Sequence, residues 1–224
     1  MNDVVVGLSF GDCGKSKITD YLLSNNVYDI NVRFNGGTNA GHTIVVNGHT
    51  FKLHQLPSGS VCSSKPLLLL TNGMVIDPII MLKEIEDLQA YNIDITDRLF
   101  ISDKAHCITA QHIQKDAETG GKVGTTGRGV GPCMEDKIRR FNAIRMSDFV
   151  ESKDPLAEKL KPFVVDTRIL LREKIKLGAK ILFEAAHGIH LDIDHGTYPY
   201  VTTPGIGPSA IPQSTGIPVI QYNR

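Results

Sequence analysis

Apolar residues along this chain come in short unbroken runs with helical patterns between them. The runs are residues 3–9 (DVVVGLS), 30–34 (INVRF), 66–70 (PLLLL), 99–101 (LFI) and 180–184 (KILFE). They lack a clean polar alternation, as expected of strands covered on both faces. After the first run, Ile18, Tyr21, Leu22 and Leu23 predict an apolar helical stripe ending at Asn25-Asn26. Asp77-Pro78 supplies an N-cap and a first-turn proline, and Met81, Ile85 and Leu88 continue a helix to about Ala90. Helices are also predicted over 108–116 and 132–140. Asp154-Pro155 opens a helical stretch that Pro162 interrupts and that resumes over 167–176. Residues 43–53 depart from this alternation, because Ile44-Val45-Val46 and the run 50–53 flank Asn47-Gly48, a pair suited to a type I′ hairpin turn. Pro204, Pro208, Pro212 and Pro218 keep most of 203–224 out of regular helix, with 217–222 the one stretch there that suits a strand.

Strands alternating with helices predict an α/β fold: a layered, mostly parallel sheet flanked by helices, with the hairpin as an excursion. At 224 residues, with no repeat and no low-complexity linker, one domain spanning 1–224 is expected. The 24 basic and 24 acidic side chains cancel, so charge favours neither nucleic acid nor a membrane surface as partner. The N-terminus lacks a basic leader, and no apolar stretch is long enough to cross a bilayer. Cys13, Cys62, Cys107 and Cys133 form no CxxC pair, which suits reduced thiols in a cytoplasmic protein better than zinc ligands.

The first run breaks into S-F-G-D-C-G-K-S at 9–16, followed by Lys17 and the first helix. Apart from Ser9 at the first glycine position, this is G-x-x-x-x-G-K-[ST], the P-loop form. Backbone N–H groups, a helix N-terminus and Lys15 would all face one anion, giving the sheet a P-loop-NTPase-like character. The competing reading is an ordinary strand-to-helix turn whose glycines only relieve crowding.

Four segments in order resemble the adenylosuccinate synthetase family. They are G-D-C-G-K-S-K at 11–17, N-A-G-H-T at 39–43, G-T-T-G-R-G-V-G-P at 124–132 and L-D-I-D-H-G-T-Y-P-Y-V-T at 191–202, with E-D-K at 135–137. The resemblance implies a two-step ligase reaction. A triphosphate, GTP in the family, phosphorylates the 6-oxygen of IMP, and L-aspartate then displaces that phosphate to give adenylosuccinate. It implies that Asp12 is both the base for the ring N1 proton and a ligand of one Mg²⁺ ion; a helix N-cap is the competing role for this residue. His42 would donate to the transferred phosphoryl group, and the carbonyl of Gly41 would be a second magnesium ligand. Gly11, Cys13, Gly14, Lys15, Ser16, Lys17 and Ala40 would hold phosphates. Thr126 would grip the 5′-phosphate of IMP, with Asn39 and Thr202 as further nucleotide contacts. Arg140 would reach the nucleotide of a neighbouring subunit, which implies a homodimer.

The chain departs from the family pattern in three places. Where the family carries F-E-G-A-Q-G, residues 183–188 are F-E-A-A-H-G, so His187 replaces a glutamine that contacts the purine. An imidazole offers one donor or acceptor per nitrogen and can charge, which can alter base preference. The connection between Arg140 and Lys180 is short, as in compact archaeal and phage-type members. The chain also ends where the family continues into an arginine-rich aspartate-binding loop and a Lys-x-Asp segment that reads the triphosphate's base. Two alternatives therefore accompany the main reading. One is a phage-type succino-2-aminodeoxyadenylate synthase using dGMP, which Asp12 disfavours and His187 favours. The other is a truncated, non-catalytic nucleotide-binding relative.

Overall fold

The buried runs become the strands of one sheet in the computed structural model, which describes residues 2–46 and 48–218. The strands are β1 (Asn2–Val5), β2 (Ile30–Arg33), β3 (His42–Val46), β4 (His49–Leu53), β5 (Leu67–Leu70), β6 (Val75–Ile76), β7 (Leu99–Ser102), β8 (His106–Cys107), β9 (Val164–Val165) and β10 (Ile181–Glu184). The helices are α1 (Lys15–Asn25), α2 (Pro78–Gln89), α3 (Ala110–Thr119), α4 (Val130–Arg139), α5 (Met146–Val150), α6 (Pro155–Leu160), α7 (Thr167–Lys176) and α8 (Ala210–Thr215).

Six strands pair in the order β1-β10-β2-β5-β7-β9, all parallel. The pleat sends Leu68 and Leu70 to a core shared with Met81, Ile85 and Leu88 of α2 and Leu160 of α6. Leu69 goes to the opposite core, with Val32, Phe183 and Leu171 of α7. Covering both faces explains why every residue of β2 and β10 is buried and why neither run alternates. Asp77 caps α2 as its sequence implies, accepting from the N–H groups of Ile79 and Ile80. The β3–β4 hairpin pairs Ile44 with Phe51 outside the main sheet. Asn47 lies outside the described residues, and Gly48 takes the positive φ of 80° that the turn needs.

The structure corrects several expectations. The first strand stops at Val5, because residues 6–9 leave the sheet to enter the glycine-rich loop before α1. Leu23 of α1 is buried as the stripe predicts, but Ile18 and Tyr21 are exposed; the helix buries Ser16 and Thr19 in their place, small residues that let it approach β3 closely. Helix α3 starts at Ala110 rather than 108 because Thr109 caps it. The Thr109 hydroxyl accepts from the His112 N–H, and His112 Nδ1 accepts from the Thr109 N–H. Helix α4 begins two residues early, at Val130, after Gly129 at φ 74°. Most of the strand expected at 217–222 lies outside the described residues. Among the described residues no helix is long and apolar enough to cross a membrane.

Candidate nucleotide site

The segments leaving the carboxyl ends of the neighbouring strands β1, β10 and β2 build the site, where ligands bind in open parallel sheets. The glycine-rich loop leaves β1 through Gly11 at φ 126°, Asp12 at φ 49° and Gly14 at φ 75°. Gly14 is the N-cap of α1 and supplies no side-chain acceptor, so the first N–H groups of the helix are left for a ligand. This removes the capping role for Asp12, whose exposed carboxylate stands in the loop instead. The segment after β10 is bonded to the loop's backbone: the N–H groups of Ile189 and His190 donate to the carbonyls of Gly7 and Ser9 at 2.8 and 3.2 Å.

A cavity of about 790 Å³ opens there. It is lined by Gly11, Asp12, Cys13, Gly14, Lys15, Ser16 and Lys17 from the loop, by Asn39, Ala40, Gly41 and His42 after β2, and by His187 after β10. Lys15 Nζ lies 3.8 Å from Cys13 Sγ. The Ser16 hydroxyl donates to the carbonyl of Thr43 at 3.1 Å, so this side chain ties α1 to β3. Ser16 thus offers a ligand its backbone rather than its hydroxyl.

A second cavity, of about 410 Å³, contains Thr126 and Thr202 and shares Asn39 and His187 with the first. Its glycine-rich wall takes positive φ at Gly124, Gly127 and Gly129. Asp116 anchors that wall by accepting from the Gly129 N–H at 2.8 Å. Thr202 is delivered by a loop clasped on the buried Asp192 carboxylate, which accepts from the N–H groups of Asp194, His195 and Ile206. The Thr202 N–H then donates to the carbonyl of Leu191. Arg140 lies apart from both cavities. It terminates α4 at φ 67°, beside Ile138 and Phe141, which are each 76% exposed.

Beneath the first cavity, the ends of β2 and β10 place Arg33 and Glu184 side by side in register. Glu184 accepts from the Ser58 N–H at 2.9 Å and the Ser58 hydroxyl at 2.7 Å. Glu84 accepts from the N–H groups of His54, Gln55 and Leu56. Burial lowers the Arg33 pKa, and Glu184 and Glu84 oppose that. Burial, then Arg33, pushes His42 down to about 4. His187 is likewise lowered to about 4 by burial, Arg33 and Lys15, and its backbone sits at φ 59°. The buried side-chain atoms without a protein partner include Asn39 Oδ1, His42 Nε2, His187 Nε2 and Thr203 Oγ1, all on residues that line these cavities. Polar atoms left without a partner at a cavity wall suit a place that a polar ligand completes.

The depressed histidines also set a pH dependence. His42, His187 and His106 each titrate at about 4 when folded, His106 through burial and then Lys137, against about 6.5 in the unfolded chain. As pH falls through that window the unfolded chain takes up protons first, so stability is full above about 6.5 and is lost toward 4. The melting temperature should therefore fall steadily between about pH 7 and pH 4.5, as thermal unfolding followed by circular dichroism would show.

Arg33, Glu184, Asp116 and Thr203 stand at the cavities without belonging to any of the four motif segments in the sequence. The first two left a signal: a charged residue inside an unalternating, doubly covered strand must find a partner.

The family model described as adenylosuccinate synthetase matches residues 4–159 and 150–224. This chain belongs to the adenylosuccinate synthetase family. Curated adenylosuccinate synthetases of Clostridium botulinum (strain Hall) and Thermoanaerobacter sp. (strain X514) are each 40% identical to it. Each match covers 96% of this chain and 61% of the relative, so the chain spans about three fifths of their length. A fully ligated adenylosuccinate synthetase from Plasmodium falciparum superposes with a TM-score of 0.82 at 32% identity, over 96% of this chain and 58% of that one. A cyanophage S-2L succinoaminodeoxyadenylate synthetase bound to dGMP and dATP superposes with a TM-score of 0.80 at 26% identity, over 97% and 60%. The α/β fold with its mostly parallel sheet is thus the family's own.

Proposed function

We propose that this site serves adenylosuccinate synthesis: GTP phosphorylates the 6-oxygen of IMP, and the amine of L-aspartate displaces that phosphate at C6. The observation that carries this reading is the shared wall. A phosphate-loop cavity and a second cavity with a glycine-rich anion loop meet at Asn39 and His187. A triphosphate in the first and a purine monophosphate in the second would bring the γ-phosphoryl group and the purine 6-position together. Asp12 takes the N1 proton, which makes the 6-oxygen nucleophilic. Lys15 and the loop amides hold the triphosphate, and neutral His42 donates to the phosphoryl oxygens. Thr126 holds the 5′-phosphate of IMP, and Thr202 and Asn39 position the nucleotide.

Asp12 and Gly41 line the same cavity, and their carboxylate and carbonyl oxygens are the hard donors that would hold Mg²⁺. When bound there, one Mg²⁺ would offset charge on the triphosphate. Arg140, next to the exposed Ile138 and Phe141, suits a homodimer in which it crosses to the partner's nucleotide. A cytoplasmic location fits such an enzyme.

Mixing the chain with IMP, GTP, Mg²⁺ and L-aspartate should give the succino-nucleotide, and omission of any one should stop it. Thr126→Ala should weaken IMP binding by roughly 10- to 100-fold in calorimetry, the worth of one hydrogen bond to a charged group. Equal IMP affinity in both proteins would contradict the assignment of Thr126. His187, standing at the shared wall, favours a second reading in which dGMP replaces IMP. Comparing the two nucleotides as substrates decides between them.

A further inference from the structure

Arg33 has no assigned task, yet it is among the largest fully buried side chains of the molecule. Its Nη1 group contacts the carbonyl oxygen of His54 at 2.9 Å and Nδ1 of His42 at 3.1 Å. A guanidinium carries only donors. Nδ1 of His42 must therefore accept, and the neutral ring must keep its proton on Nε2. Nε2 of His42 is buried without a protein hydrogen-bond partner. Ser58 occupies both oxygens of Glu184, which holds that carboxylate beside Arg33.

We infer that Arg33 is a positioning residue that locks the His42 imidazole in its Nε2–H form, making it a permanent donor in the wall of the phosphate cavity. Phosphoryl oxygens only accept hydrogen bonds. The opposite tautomer would turn a lone pair toward them, losing a donor and adding repulsion. A free imidazole interconverts between the two forms, whereas a buried cation at Nδ1 permits one. No proton is consumed: His42 donates a hydrogen bond and remains neutral. The inference rests on the proposed contact between His42 and the transferred phosphoryl group, and two separate readouts test the two ideas.

The first is nitrogen NMR of the ¹⁵N-histidine-labelled protein without nucleotide, with the His42 signals assigned by their loss in His42→Ala. The expected pattern is a pyridine-type Nδ1 and a pyrrole-type Nε2. Arg33→Met would strand a buried carboxylate, so it is made together with Glu184→Gln and compared with Glu184→Gln alone. In that pair the His42 nitrogens should move toward a mixture of tautomers, whereas Arg33→Lys, which keeps a charged donor, should retain part of the original pattern. An unchanged pattern in both Arg33 variants would overturn the inference.

The second readout is a double-mutant cycle on turnover. His42→Ala should lower kcat roughly 100-fold, the cost of one donor in a transition state. Arg33→Lys should lower kcat by roughly tenfold with little change in KM for GTP, and should cost nothing further once His42 is alanine. Losses that multiply in the double variant would mean that Arg33 supports the fold rather than acting through His42. If His42→Ala leaves kcat intact, the phosphoryl contact fails, and the NMR result still decides whether Arg33 sets the tautomer.

Discussion

Asp12→Asn is expected to lower turnover by roughly 1000-fold or more while IMP affinity stays within about tenfold, because a positioned base contributes on the order of 10²–10⁴ to rate. The carboxylate is exposed in the glycine-rich loop at φ 49°, a conformation that asparagine adopts readily. Since Gly14 and not Asp12 caps α1, the substitution leaves the helix start untouched. The amide has the same shape but cannot take the N1 proton. Steady-state rates with calorimetric IMP affinities separate the outcomes: loss of binding in proportion to turnover would give Asp12 a structural role instead.

Gly188→Ala should be nearly as damaging through geometry alone. A Cβ at this position would lie 2.0 Å from the Ser9 carbonyl oxygen and 2.6 Å from the Gly11 nitrogen. Both contacts are backbone atoms of the glycine-rich loop before α1, so the loop itself has to move. The φ of −135° at Gly188 suits any residue, which leaves close approach as the sole reason for glycine. A displacement of about 1 Å costs roughly 100-fold in a positioned reaction, and GTP affinity should fall by a similar factor. Gly121→Ala is the control, since a Cβ there meets nothing within 4 Å. If Gly188→Ala binds GTP like the unaltered chain, the loop is more compliant than this packing implies.

Much of this was legible in the sequence because local physics wrote it there. Unalternating apolar runs became strands covered on both faces, the Asp77-Pro78 pair became a helix cap, and 167–176 became α7 at its expected bounds. The glycine-rich loop before α1 was legible through its glycines, its lysine and the strand-to-helix change. What stayed hidden depends on long-range placement. Nothing in the local pattern says that β10 inserts between β1 and β2, yet that insertion sets Glu184 beside Arg33 and Gly188 against the loop. The two-residue strands β6, β8 and β9 are too short to carry a period. The burial of Ser16 and Thr19 in place of Ile18 and Tyr21 follows from close packing of α1 on β3, which periodicity does not contain.

The most direct test of the proposed reaction follows one oxygen atom. IMP labelled with ¹⁸O at the 6-position is incubated with the chain, GTP, Mg²⁺ and L-aspartate, and the released phosphate is examined by mass spectrometry. Phosphorylation of the 6-oxygen followed by displacement at C6 breaks the C6–O bond, so the label should appear in inorganic phosphate in step with succino-nucleotide formation. Unlabelled phosphate, or no succino-nucleotide at saturating substrates, would contradict the account.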